Sequence, residues 1–215
     1  MGFISRVGGV VLGFGVLGSA GGCSGQSHGD GDSGDRAAKC TLSACGGDVV
    51  GTWNIESFCI DFGELPPLGD EPACRGALRD PSLDTTGTLT FGADGTYASN
   101  LVSSTTLVLV VTDACSRALN GANVTQAECD ALQAEYASQP EEYSSAVCTF
   151  SPGSCSCTIS TPSEASTESG TYASQGTRLV FSDGSENDYC VENDVLTLGV
   201  VVEDGSFTAS ARRAP

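Results

Sequence analysis

Eleven cysteines in 215 residues constrain this chain more than any other feature of it. In an oxidising compartment so many thiols become cross-links, able to hold segments that have no core of their own. A reduced setting would require them to bind metal. Zinc sites draw four ligands from two C-x₂₋₄-C pairs or from such a pair with histidines, whereas Cys40 and Cys45 are the one pair at that spacing and His28 is the one histidine. Cys155-Ser156-Cys157 offers two thiolates at most, so no metal is expected. No C-x-x-C occurs, which removes the common dithiol redox motif. The reading is therefore of an exported, disulfide-rich protein.

The N-terminal residues agree with export. Met1 to Gly22 carry one charge, Arg6, followed by the apolar run Val7 to Leu17 and then small residues up to Cys23. A charged start, a short apolar core and a small-residue end are the parts of a secretory signal, and the core is too short to span a bilayer permanently. Small residues running into Cys23 resemble the lipobox of bacterial lipoproteins, whose cysteine is acylated and becomes the new N-terminus. This one departs from that pattern in having Ala20 three places before the cysteine, with the nearest leucine at Leu17. The resemblance implies a signal peptide over 1–22, lipid attachment at Cys23, and residence at the outer membrane of a cell envelope. Ordinary cleavage near Ala20 and a soluble secreted product is the alternative. Parity leans toward the lipid, because ten cysteines remain after Cys23 and can close in pairs.

Residues 23–39 then form a linker rich in Gly, Ser and Asp, too poor in apolar groups to offset the entropy of ordering. Two motif matches there fail on context. Gly29-Asp30-Gly31-Asp32-Ser33-Gly34 has the dinucleotide-binding spacing without the strand and helix that spacing serves. Asp30, Asp32 and Asp35 lack the closing glutamate of a calcium loop. Nine basic residues against 27 acidic ones give a net charge of -18, which repels phosphate backbones and argues against nucleic-acid partners.

From residue 40 to 215 the chain reads as one all-β domain. Short β-branched and aromatic runs alternate with turn dipeptides, among them Asp94-Gly95, Asp183-Gly184 and Asp204-Gly205. Apolar residues fall on alternate positions: Leu89 and Phe91, Leu179 and Phe181, Leu196, Leu198 and Val200. The word Gly-Thr-Tyr-Ala-Ser occurs at 95–99 and again at 170–174, marking both as strands. One segment breaks the pattern. Thr125 with Glu128 has the form of a capping box, and Cys129, Leu132 and Tyr136 follow at helical spacing, predicting one helix near 125–139. Residues 61–84 read as a long loop.

Gly51-Thr52-Trp53 resembles the G-x-W motif that opens the first strand of lipocalins and related lipocalin-like domains. The resemblance extends through Gly87-Thr88-Leu89-Thr90-Phe91 and Tyr189-Cys190-Val191 to Arg212 and Arg213 at the end of the last predicted strand. It implies a mainly antiparallel, up-and-down β-barrel of eight to ten strands with one inserted short helix. It also implies that Gly51 and Trp53 close one end of the barrel under Arg212 or Arg213. The long loop, the helix and the cysteine content depart from the family.

The expected bridges are Cys59 with Cys74, Cys115 with Cys129, and Cys157 with Cys190, leaving four cysteines unassigned. No catalytic centre is recognisable. The one histidine, His28, lies in the linker, and no G-x-S-x-G or H-E-x-x-H is present. These missing motifs argue against an enzyme, and a monomer without cofactor is expected. The resemblance implies a protein that holds a small apolar or amphipathic molecule, and Phe91, Tyr97, Leu109 and Phe181 are the candidate wall residues. A packed envelope interaction module is the second reading, and a hydrolase using paired carboxylates the third.

Overall fold

The computed structural model describes residues 40, 42–61, 68, 71–202 and 205–215. The expected signal segment 1–22, the expected lipid attachment at Cys23 and the expected linker 23–39 lie outside the described residues, as do 203–204 with most of the third expected hairpin turn.

Ten strands form a single antiparallel sheet. They are β1 (Gly51–Asp61), β2 (Leu78–Phe91), β3 (Thr96–Thr112), β4 (Ser145–Ser151), β5 (Ser154–Ser160), β6 (Glu164–Gln175), β7 (Arg178–Phe181), β8 (Glu186–Glu192), β9 (Val195–Val202) and β10 (Gly205–Arg213). Eight of them close a ring in chain order: β1, β2, β3, β6, β7, β8, β9, β10 and back to β1. The strand β3 makes the remaining two possible. Its first half pairs with β6 from Thr96↔Thr171 to Ser103↔Glu164, and its second half pairs on the same edge with β5, from Thr106↔Ser160 to Thr112↔Ser154. At the fork the Thr105 amide donates to Thr161 Oγ1 at 2.9 Å. Beyond it β5 and β4 continue as an open sheet.

Turn chemistry places the hairpins. Between β2 and β3 Gly95 has φ 80°, and the Thr96 amide and hydroxyl both donate to Asp94 Oδ1. Between β7 and β8 the same device recurs with Gly184 at φ 88° and Ser185 donating twice to Asp183. Those bonds hold both carboxyls below the usual carboxylate range. The repeated Gly-Thr-Tyr-Ala-Ser words lie on neighbouring strands and meet at their first residues, with Thr96 opposite Thr171 and Tyr97 opposite Gly170.

Two cores result. The ring holds Val49, Trp53, Phe91, Leu179, Tyr189 and Leu196. The open sheet is covered by α1 (Asp113–Asn120) and α2 (Gln126–Ala137) over Leu109, Tyr136, Ile159 and a group of cysteines. The capping box at Thr125 and Glu128 is formed, as its spacing predicts. The second helix was not expected. Its signals are Thr112, which accepts from the Cys115 amide, and Gly121, whose φ of 77° ends the helix; a short element following a long strand leaves too few residues for periodicity to show. The expected loop 61–84 is also corrected, since β2 begins at Leu78. Asp80 at φ 51° and Pro81 sit in a bulge where the register shifts between Arg79 and Ser82, and a proline at a bulge masks a strand.

Five disulfides join Cys40 to Cys59, Cys45 to Cys190, Cys74 to Cys115, Cys129 to Cys155 and Cys148 to Cys157. None of the three expected pairings is formed; each of those six cysteines bonds a different partner. The expected pairs followed nearness along the chain, whereas the bridges follow nearness across the ring and between helix and sheet. Cys155 and Cys157 face one core from one strand, yet each is tied to another element, so neither offers a thiolate to a metal.

Two predictions follow from this packing. Cross-linking Cys45 to Cys190 closes the longest loop, 145 residues, so a Cys45→Ser, Cys190→Ser variant loses about 3–5 kcal/mol in denaturant unfolding. Burial pushes the Tyr136 hydroxyl up to about 12 from 10. The fold therefore favours the neutral phenol: stability is complete below pH 10 and falls as pH climbs toward 12. Denaturant midpoints measured across that window show the fall, and Tyr136→Phe flattens it.

Candidate functional site

One end of the ring is sealed by side chains that the resemblance singled out. Trp53, on β1, is fully buried, and its indole Nε1 donates to the Val49 carbonyl at 2.8 Å. Arg213 stands opposite Trp53 in the β1–β10 ladder, with its guanidinium carbon 4.2 Å from the ring centroid. The same guanidinium donates to the carbonyls of Val50 at 2.6 Å and Asp48 at 3.0 Å and pairs with Asp194 at 3.3 Å. A planar fork can reach several acceptors while lying flat on an indole, which an ammonium cannot do. Gly51 is required by that arrangement. Its φ is 138°, and a Cβ there would stand 2.7 Å from Arg213 Nη1. Of the two arginines considered, Arg213 thus takes the place over the ring, while Arg212 pairs with Glu56 at 2.7 Å on the outside.

The segment before β1 completes the seal. Cys45 is bridged to Cys190, Gly46 lies parallel to Cys190, and the amides of Cys45 and Gly46 both donate to the Tyr189 carbonyl. Inside, the Tyr189 hydroxyl meets the Gly47 carbonyl at 3.1 Å and Ser174 Oγ at 2.7 Å. Upstream, Cys40 is pinned to Cys59 on β1 and Leu42 packs against Gly199 on β9. Residues 40 and 42–47 therefore mark a strap from β1 across to β8. Thr208, between Cys59 and Gly199 in the ladders, has a buried Oγ1 with no hydrogen-bond partner among the described residues.

The candidate wall residues separate. Phe91 packs edge-on against Tyr172 at 5.0 Å, and Tyr97 against Phe181 at 4.9 Å, both within the ring. Leu109 does not belong with them. It lies in the second core beneath the helices, because β3 has by then left the ring.

Away from the sealed end the inward positions change character. Gly87 faces Leu101, Thr85 faces Ser103, and Ser99 faces Glu168. Thr85 Oγ1 and Ser103 Oγ are 2.9 Å apart. The Glu168 carboxyl is pushed up, first by burial and then by Asp183. β7 and β8 are short, so no strand pairs with β6 on that edge from Glu164 to Gly170 among the described residues. This half of the ring has apolar residues such as Phe58 and Leu101 beside hydroxyls and one carboxyl.

Sequence reasoning identified the tryptophan, its glycine and the arginine pair but missed the strap, Asp194 and Tyr189. The strap was marked only by two unassigned cysteines. The turn Asn193-Asp194, with φ of 52° and 61°, was legible as a two-residue hairpin loop and brings Asp194 to Arg213. Comparison of the chain with protein-family models, with curated proteins and with solved structures finds no match.

The seal makes a direct prediction. Arg213→Lys keeps the charge but cannot span Asp48 and Val50 from the indole face, so it loses about 2–3 kcal/mol. A melting temperature lower by roughly 5–10 °C and a shifted emission of Trp53, the single tryptophan, are the expected readouts.

Proposed function

We propose that this protein is a lipid-anchored, lipocalin-like member of the cell envelope that holds a small apolar or amphipathic molecule and does no chemistry on it. One observation carries the reading: a ring of eight strands in up-and-down order whose end is plugged by Trp53 under Arg213. Such a ring has one sealed end, leaving the other as the place for a guest. Eight-stranded barrels are wide enough for one small ligand or for their own side chains. Here the sealed half is packed by its own aromatic pairs, so in this reading the guest sits in the half lined by Phe58, Leu101, Ser99 and Glu168. Apolar walls beside hydroxyls and a carboxyl suit an amphipathic molecule better than a pure hydrocarbon.

The address follows from the N-terminus. Acylation at Cys23 would hold the domain on a membrane through residues 24–39, and the Cys40–Cys59 bridge fixes where that tether meets the ring.

The packed sealed half also favours a second reading, an envelope interaction module with no guest. Titration of the exported protein with an apolar fluorophore separates the two. Saturable, one-to-one binding that a fatty acid or alkylamine displaces, and that Leu101→Trp abolishes without changing the circular dichroism, is expected. No saturable binding in the wild-type protein rejects the guest and leaves the packed module. Intact mass of the same sample tests the address: an acyl-modified N-terminus at Cys23 is expected, and a product without it rejects the anchor.

A further inference from the structure

Two of the disulfides touch each other. Cys148–Cys157 joins β4 to β5 where the two residues stand directly opposite, and Cys129–Cys155 joins α2 to β5. Cys155 and Cys157 are two places apart on β5, so their side chains share a face, and their Sγ atoms are 3.8 Å apart. The sulfurs of Cys148, Cys155 and Cys157 all lie within 4.8 Å of one another. All are oxidised, so what this contact permits is exchange: a thiolate displaces one sulfur of a disulfide and forms a new S–S bond with the other. The four sulfurs differ in how easily a reagent reaches them. Cys129, Cys155 and Cys157 are fully buried. Cys148 is only partly buried, and it lies on β4, the last strand of the sheet, with no further strand beyond it among the described residues.

We propose that Cys148 is a modification site for a low-molecular-weight thiol, and that its reaction is relayed through the core to release α2. The incoming thiolate attacks Cys148 Sγ and bonds to it; the Cys148–Cys157 bond breaks and Cys157 leaves as a thiolate. Cys157 Sγ then attacks Cys155 Sγ. A Cys155–Cys157 bond forms, the Cys129–Cys155 bond breaks, and Cys129 leaves with the electron pair and takes up the proton that the entering thiol gave up. One thiol enters, one thiol emerges, and the number of S–S bonds is unchanged. Contact between the two bridges makes the second step intramolecular, at an effective concentration no external thiol matches. It also moves the charge from buried Cys157 to Cys129 in the first turn of α2, where a helix N-terminus favours a thiolate. Residues two apart on a strand have Cα atoms about 6.7 Å apart, near the outer limit of a disulfide. β5 must therefore pucker to close the new bond, which its release from Cys148 and Cys129 permits. Cys129 is the one cysteine of α2. After the relay that helix is held by Tyr136 against Tyr143 and by Gln133 Oε1, which accepts from the Cys148 amide at 2.8 Å. The relay needs neither a guest in the ring nor a lipid at Cys23.

Peptide mapping tests it. The oxidised protein, with any free thiol first blocked by alkylation, is exposed to limiting 2-mercaptoethanol, quenched in acid and alkylated with a second reagent of different mass. Mercaptoethanol on Cys148, the second alkyl group on Cys129, and Cys155 joined to Cys157 are expected. Amide hydrogen exchange over Gln126–Ala137 is expected to quicken in that species. A Cys148→Ala, Cys157→Ala variant, its folding verified by circular dichroism, lacks the entry bridge and should expose the Cys129 thiol about tenfold more slowly or less. Four results overturn the proposal: no adduct at Cys148, the second alkyl group on Cys157 with Cys129–Cys155 intact, unchanged exchange in α2 after the relay, or an unchanged rate at Cys129 in the variant.

Discussion

The long strand β3 imposes the constraint on which the rest of the structure depends. Side chains alternate strictly along a strand, so its odd-numbered residues stay on one side from Tyr97 to Val111. Its lower half therefore faces the inside of the ring and its upper half faces the helices, with no change of register between the two cores. One edge is held throughout by β2, and the other is divided between β6 and β5. The inserted segment 113–163 can leave the ring and return to it because the strand it interrupts continues straight past the ring.

The two cores are filled in different ways. Inside the ring, large aromatic and aliphatic groups meet edge to face and leave Trp53, Leu179 and Leu196 without exposure. Under the helices the material is largely sulfur, with the bridges Cys74–Cys115, Cys129–Cys155 and Cys148–Cys157 in one cluster beside Leu109 and Tyr136. A four-stranded sheet under two short helices buries little apolar area, and cross-links there restrict the unfolded chain where burial alone would fall short. The remaining two bridges fasten the strap to the ring, which extends the same principle to a segment with almost no side-chain core.

Charge is distributed with equal economy. Asp94 and Asp183 serve turns, Asp194 holds the arginine of the seal, and Glu56 and Glu186 pair with exposed arginines. The central sheet face is left to threonine, serine and valine.

Much of this architecture was written in local chemistry. The turns at Asp94-Gly95 and Asp183-Gly184, the capping box at Thr125, the alternation of Leu89 and Phe91, and the glycine and tryptophan of the seal all depend on neighbours a few residues away or on a motif of fixed spacing. Such features are legible because backbone sterics and strand periodicity act within a short window. The disulfide partners, the extra helix α1, the start of β2 behind Pro81 and the departure of Leu109 from the ring were decided only by tertiary structure. Each depends on which strands lie side by side, and a cysteine or valine carries no record in its own neighbourhood of the distant residue placed opposite it.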